Sequence, residues 1–306
     1  MKNNSKNDIM FELENQRQIN GKVYRKKNGQ KMMIISKEPI HYLNRETGKY
    51  EEIEGNMKNT SGGYVAKFGD CRVSLPNGKG NDRTVRLGTD DHRIEWKYVG
   101  MNEGDFDQED SKLGKVFPVP CIGYKKSILP PNNKKNKNSG LHIGRHAIVQ
   151  YEAVDDGIGF EYETRSDRLK ENIYVKHLRD KYSFYYELKV KGVEPRLSES
   201  GKEIVFYEKK DEKTGEKYVF RIPAPFMKDA GGARSDAVSY SLTPLKNKHY
   251  RFEIRADENW INAPERVLPV TIDPVIDFHE TWSGSFYGDI SVNMMEDYTA
   301  GRDEYG

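Results

Sequence analysis

A chain of 306 residues is long enough for about two domains. Charged residues make up 32% and hydrophobic residues 35%, yet 11% are aromatic, with 19 Tyr and 12 Phe. That excludes an intrinsically disordered chain, which is poor in rings and buries too little apolar surface to offset its ordering entropy. The net charge of +2 is unevenly spread: residues 1–140 carry 26 Lys+Arg and 18 Asp+Glu, residues 141–306 carry 24 and 30. Such a basic front half can attract a polyanion, or its charge can simply help two modules dock.

Residues 1–21 are polar and read as a disordered lead-in. Met1 to Asp8 holds no apolar stretch of the kind a signal peptide needs. No run reaches the roughly 18–20 apolar residues of a membrane span. From Lys22 the pattern turns to short alternating runs bounded by turn residues, the signature of strands. Met32 to Ile35 is one strand core, and Ile40 to Tyr42 with Tyr50 to Ile53 makes a hairpin across Asn44–Gly48. Tyr64–Phe68, Cys71–Leu75 and Ile94–Tyr98 complete a first β module over 22–128. Residues 129–140 are Pro-, Asn- and Lys-rich and read as a linker or long loop. A second β module follows over 141–276, with runs such as Gly157–Tyr162, Ser183–Val190, Ile204–Tyr207, Tyr218–Ile222, Val238–Leu242 and Tyr250–Ile254. Helical turns are expected at most over 167–176 and 260–265. Residues 277–306 read as the truncated start of a following segment. The fold class is therefore all-β, with antiparallel sandwich-like modules and long polar loops.

The chemistry-bearing residue types form few patterns. His142 and His146 stand four apart, but Gly144 between them argues against a helical metal pair. Asp105, Asp107, Glu109 and Asp110 make an acidic loop that fails the spacing of a calcium-binding loop. Gly78-Lys79-Gly80 is no phosphate loop, and no nucleophile elbow occurs around Ser285. Cys71 and Cys121 form neither a metal motif nor a redox pair; a single disulfide or two thiols are both open. Neither a metal, a cofactor nor a catalytic residue is indicated. Trp96, Trp260 and Trp282 are the candidate binding residues, able to stack on sugar rings or partner side chains, with core packing as the alternative.

One stretch carries a resemblance. Ile222-Pro223-Ala224-Pro225-Phe226-Met227-Lys228-Asp229, then Ser235–Tyr240, Trp260-Ile261 and Pro264 to Pro274 ending in Pro269-Val270-Thr271-Ile272-Asp273-Pro274, resembles the N-terminal region of bacterial RHS/YD-repeat, wall-associated-protein-like surface proteins. The front segment, Ile35–Tyr42 and Gly48–Ile53, is similar in style, so the resemblance covers roughly residues 22–276. It implies a secreted or cell-surface location, with a DNRLRE-type, carbohydrate-binding-like domain further along such chains. The resulting expectation is a non-catalytic structural or binding module of a surface or toxin-delivery protein, not an enzyme. Its implied partners are cell-wall polysaccharide or further domains of a longer chain, with no specific nucleic acid. The alternative is a carbohydrate-active enzyme or a polysaccharide- or polyanion-binding protein. Without a signal peptide, a cytoplasmic location is the alternative to the surface. In the resembling stretch, Pro223 and Pro225 cannot donate ladder hydrogen bonds and should end a strand, and Pro269 and Pro274 should bracket a short one.

Overall fold

A computed structural model describes residues 9–36, 38–79, 82–106, 115–129, 141–208 and 217–278. These fall into two compact units, one holding residues up to 54 with 126–129 and 141–145, the other 55–125 and 146–278.

In the first unit, β1 (Ile9–Glu12), β2 (Gly21–Lys26) and β3 (Lys31–Ile35) form an antiparallel sheet in that order. A hairpin of β4 (His41–Asn44) and β5 (Lys49–Glu52) follows. The turn between them is set locally. Asn44 Oδ1 accepts the backbone N–H groups of Glu46 and Thr47 at 2.9 and 3.2 Å, and Gly48 takes a φ of +66°. Alternation places Met32 and Ile34 of β3 on the same face, and with Tyr24 and Ile40 they form a small buried cluster. Residues 9–12 therefore belong to a strand, where the sequence suggested disordered lead-in.

The second unit contains two sheets, antiparallel throughout their recorded pairings. Its strands begin with β6 (Lys58–Thr60), β7 (Gly63–Phe68), β8 (Cys71–Leu75), β9 (Val85–Gly88), β10 (Arg93–Gly100), β11 (Cys121–Leu129, of which 121–125 belong to this unit) and β12 (Leu141–Asp155, of which 146–155 do). They continue with β13 (Ile158–Thr164), β14 (Arg168–Val175), β15 (Tyr182–Lys191), β16 (Val193–Leu197), β17 (Ile204–Glu208) and β18 (Tyr218–Ile222). After β19 (Phe226–Lys228) and β20 (Arg234–Ser235) come β21 (Val238–Pro244), β22 (His249–Ala256), the single turn α1 (Glu258–Ile261), β23 (Val270–Asp273) and β24 (Val275–Phe278). One sheet runs β21-β22-β15-β10-β9-β8-β7-β6; the other runs β11-β12-β13-β14-β24-β18-β17-β16, with β19, β20 and β23 branching from it.

The two sheets meet face to face through rings. Tyr98 of β10 lies 4.9 Å from Phe160 of β13, and Phe68 of β7 lies 6.2 Å from Phe278 of β24. Both spacings suit tilted aromatic pairs, and these side chains are almost fully buried. The all-β, sandwich-like expectation holds.

Two details differ from the sequence reading. β10 pairs with β15 from Arg93–Lys191 to Tyr98–Tyr186, so residues on both sides of 129–140 build one sheet. A boundary drawn there does not divide the sheets, because strand pairing is long-range and leaves no mark in local composition. Residues 168–175 form β14 rather than helical turns; buried Leu169, Glu171, Ile173 and Val175 alternate along it. Of the linker at 129–140 only Leu129, the last residue of β11, is described, and most of the segment at 277–306 lies outside the described residues.

Candidate functional site

In the first unit, five polar side chains converge. Hairpin register puts His41 directly opposite Glu52. Glu12 closes β1, Lys22 lies on β2 and Arg17 sits in the connection between them. Arg17 donates through Nε to Glu12 Oε1 at 2.7 Å and through Nη2 to Glu52 Oε1 at 3.4 Å. Lys22 donates to Glu52 and lies 3.8 Å from Glu12 Oε2. His41 is 0% exposed. Its Nδ1 lies 2.7 Å from the carbonyl oxygen of Gln18, which only accepts, so that nitrogen carries the proton in the neutral ring. Nε2 then carries a lone pair, is buried, and has no hydrogen-bond partner. A ring nitrogen of His41 and one carboxylate oxygen each from Glu12 and Glu52 lie within 4.8 Å of one another.

Charges set the protonation states. Burial, with Lys22 and Arg17 nearby, pushes the His41 imidazolium below its ordinary value against the pull of the Gln18 carbonyl. Burial alone would raise Glu52, but the Lys22 hydrogen bond and the charges of Lys22 and Arg17 outweigh it and hold the carboxyl low. Burial thus favours the neutral imidazole at His41, and the two neighbouring cations favour the charged carboxylate at Glu52. Glu12 and Arg17 fall in residues that the sequence suggested were disordered. The hairpin was legible, and with it the His41–Glu52 juxtaposition, but the β1–β2 pairing that completes the set was not.

A second polar cluster lies between the sheets of the other unit. Glu171, on β14, is 4% exposed. Tyr186 Oη donates to its Oε1 at 2.8 Å, and Trp96 Nε1 donates to its Oε2 at 3.3 Å. Burial raises the carboxyl above its ordinary value, and these donors only partly offset it. A small cavity lined by Trp96, Leu188, Ile222, Phe252 and Ile276 lies beside it.

Two of the sequence-derived candidates can be placed. Trp96 is 4% exposed, with its ring in the core and its indole N–H on Glu171. Trp260 lies on α1 with the Arg266 guanidinium 4.7 Å from its ring centroid. Trp282 lies outside the described residues, as do 107–110 of the acidic loop and the side chains of Asp105 and His142. His146, on β12, has its Nδ1 3.6 Å from Glu163 Oε1. No disulfide joins Cys71, which is buried, to Cys121, which is exposed.

The stretch behind the resemblance has a physical role. β18 ends at Ile222, just before Pro223, and Pro274 separates β23 from β24. That break lets β14 pair with β23 through Ile173–Val175 and with β24 through Arg168–Lys170. Asp229 joins the two halves of the motif: it accepts from the backbone N–H groups of Ala233 and Val267 at 2.8 and 3.2 Å and lies 3.4 Å from Arg266 Nη1.

No protein-family model matches the chain. Three curated proteins are similar to it. One is 28% identical over 277 residues and is named tRNA3(Ser)-specific nuclease WapA, from Bacillus spizizenii. The others are 27% and 26% identical, from Bacillus subtilis subsp. natto and Bacillus subtilis strain 168, and are named tRNA(Glu)-specific nuclease WapA and tRNA nuclease WapA. Each match covers 86% of this chain but only 10% of the relative's length. These relatives overturn the expectation of a non-catalytic structural or binding module with no nucleic-acid partner, since all three are named for an enzymatic activity on tRNA. Neither a carbohydrate-active nor a polysaccharide-binding role gains support from them, and they show no DNRLRE domain. Among the described residues, no helix is long and apolar enough to cross a membrane. The chain is therefore similar, over most of its own length, to a tenth of proteins named WapA tRNA nucleases, in agreement with the wall-associated-protein resemblance read from its motifs.

Proposed function

We propose that this chain works as part of a bacterial tRNA-cleaving nuclease of the wall-associated type, located at the cell surface. The observation that carries the proposal is the similarity over 86% of the chain to three proteins that share this activity in their names. The chain spans a tenth of those relatives, so the activity proposed belongs to the whole protein. Its reaction would be cleavage of a phosphodiester in tRNA.

The test is direct. Residues 1–306 and the product of the complete reading frame are purified and incubated with total bacterial tRNA, and the products are resolved on a denaturing gel. Discrete tRNA fragments from either preparation support the proposal, and comparing the two shows which part carries the cleavage. Intact tRNA with both, across pH 6 to 9 and with and without added divalent cations, overturns it.

A further inference from the structure

We propose that Glu12, His41 and Glu52 form a binding site for a divalent transition metal, with the ammonium of Lys22 as the internal cation that competes for it. This inference stands apart from the nuclease reading and rests on the first unit alone.

An ion-pair network would explain four of the five side chains. Arg17 and Lys22 together neutralise Glu12 and Glu52. It leaves His41 unexplained. Burying an imidazole with its Nε2 lone pair unmet carries a desolvation penalty that no protein contact returns. A metal ion would use that lone pair. The supporting contact is of the right kind as well: a metal-bound His usually donates its other ring N–H to a carbonyl or carboxylate, which fixes tautomer and ring orientation, and here Nδ1 faces the Gln18 carbonyl. Glu12 is oriented in the same way, because Arg17 holds Oε1 and leaves Oε2 toward Lys22.

The geometry is close to what coordination needs. Bonds of about 2.0–2.2 Å in a tetrahedral arrangement place donor atoms about 3.4 Å apart. A ring nitrogen of His41 and one oxygen each of Glu12 and Glu52 lie within 4.8 Å of one another, so closure of up to about 1.4 Å brings three donors to that spacing. Glu52 can supply that movement, since its side chain is 49% exposed while those of Glu12, Lys22 and Arg17 are 17%, 9% and 12% exposed. Lys22 donates to Glu52 and faces Glu12, so its ammonium takes the place between the carboxylates that a dication would fill. One imidazole with two carboxylates suits Zn²⁺, Co²⁺ or Mn²⁺ and not Mg²⁺, which favours an all-oxygen octahedron.

The chain of residues 1–306 is stripped with a chelator and titrated at pH 7.5 with ZnCl₂ by calorimetry and with CoCl₂ by visible absorption. One saturable site is expected, with no comparable heat from MgCl₂. Lys22→Met is expected to bind about tenfold or more tightly, because the competing cation is gone. Glu52→Gln is expected to bind about tenfold or more weakly. Circular dichroism confirms that both variants fold. Lack of saturable binding in the wild type and in Lys22→Met alike overturns the proposal. So does an affinity unchanged by Glu52→Gln, since the metal would then sit on other residues.

Discussion

Replacing Glu171 by Gln is expected to remove a pH dependence from the stability of the second unit that the buried carboxyl imposes on the wild type. The folded carboxyl titrates above its ordinary 4.5 because burial penalises its charge. For a group raised in the folded state, its stabilising contribution is complete below the unfolded value and is lost as pH rises through the folded one. The wild type should therefore weaken relative to Glu171→Gln above pH 4.5, at up to about 1.4 kcal/mol for each pH unit until the folded carboxyl has ionised. Gln keeps the shape and still offers an oxygen to Trp96 Nε1 and an amide to Tyr186, so the pair should be nearly equal at pH 4.5. Urea unfolding of both proteins at pH 4.5, 6, 7 and 8, followed by tryptophan fluorescence, measures the difference. Other carboxylates titrate alike in both chains and cancel. A stability difference that stays flat to within about 0.5 kcal/mol over this range would refute the reasoning, since a carboxyl with an ordinary pKa produces no such slope above pH 6.

Three further outcomes follow from packing and backbone geometry. Leu87→Ala, at a position 0% exposed on β9, is expected to cost about 3 kcal/mol in urea unfolding through lost burial and the cavity left behind. Gly192→Ala is expected to destabilise by roughly 2 kcal/mol or more. That glycine links β15 to β16 at a φ of +73°, and a Cβ there would press into the carbonyl oxygen of Asp91. Asp229→Ala should lower the thermal midpoint, and Arg266→Ala should cost less in that background than in the wild type, because the pair and the Val267 and Ala233 backbone bonds form one network. Additive costs in that double-mutant cycle would show that Asp229 and Arg266 act independently.

Much of the architecture was legible before the structure. Alternating runs marked β8, β10, β15, β17, β18, β21 and β22, and turn chemistry at Asn44–Gly48 marked the β4–β5 hairpin. Each of these signals is local. The relevant residues lie within a few positions of one another, and side-chain alternation has a period of two. The candidate sites were less legible. Trp96 was singled out for its ring, yet what matters at that position is the bond from its indole N–H to a carboxylate 75 residues away. Glu171 itself stands among charged and polar neighbours, between Lys170 and Asn172, where nothing marks its side chain for burial. Only the opposite sheet buries it.

The amino-acid sequence by itself determined the strand content, the hairpins, the breaks at Pro223 and Pro274, and the likeness to wall-associated proteins. These depend on residue type, spacing and local φ restriction. The tertiary structure decided which strands are neighbours, and hence that residues 93–98 and 186–191 share a sheet. It also decided that His41 meets Glu12 across 29 positions of chain, and that Glu171 lies between two tyrosine- and phenylalanine-filled faces. Strand partners at long range are chosen by how whole apolar faces fit together, a property of the summed surfaces that no local pattern of residues records.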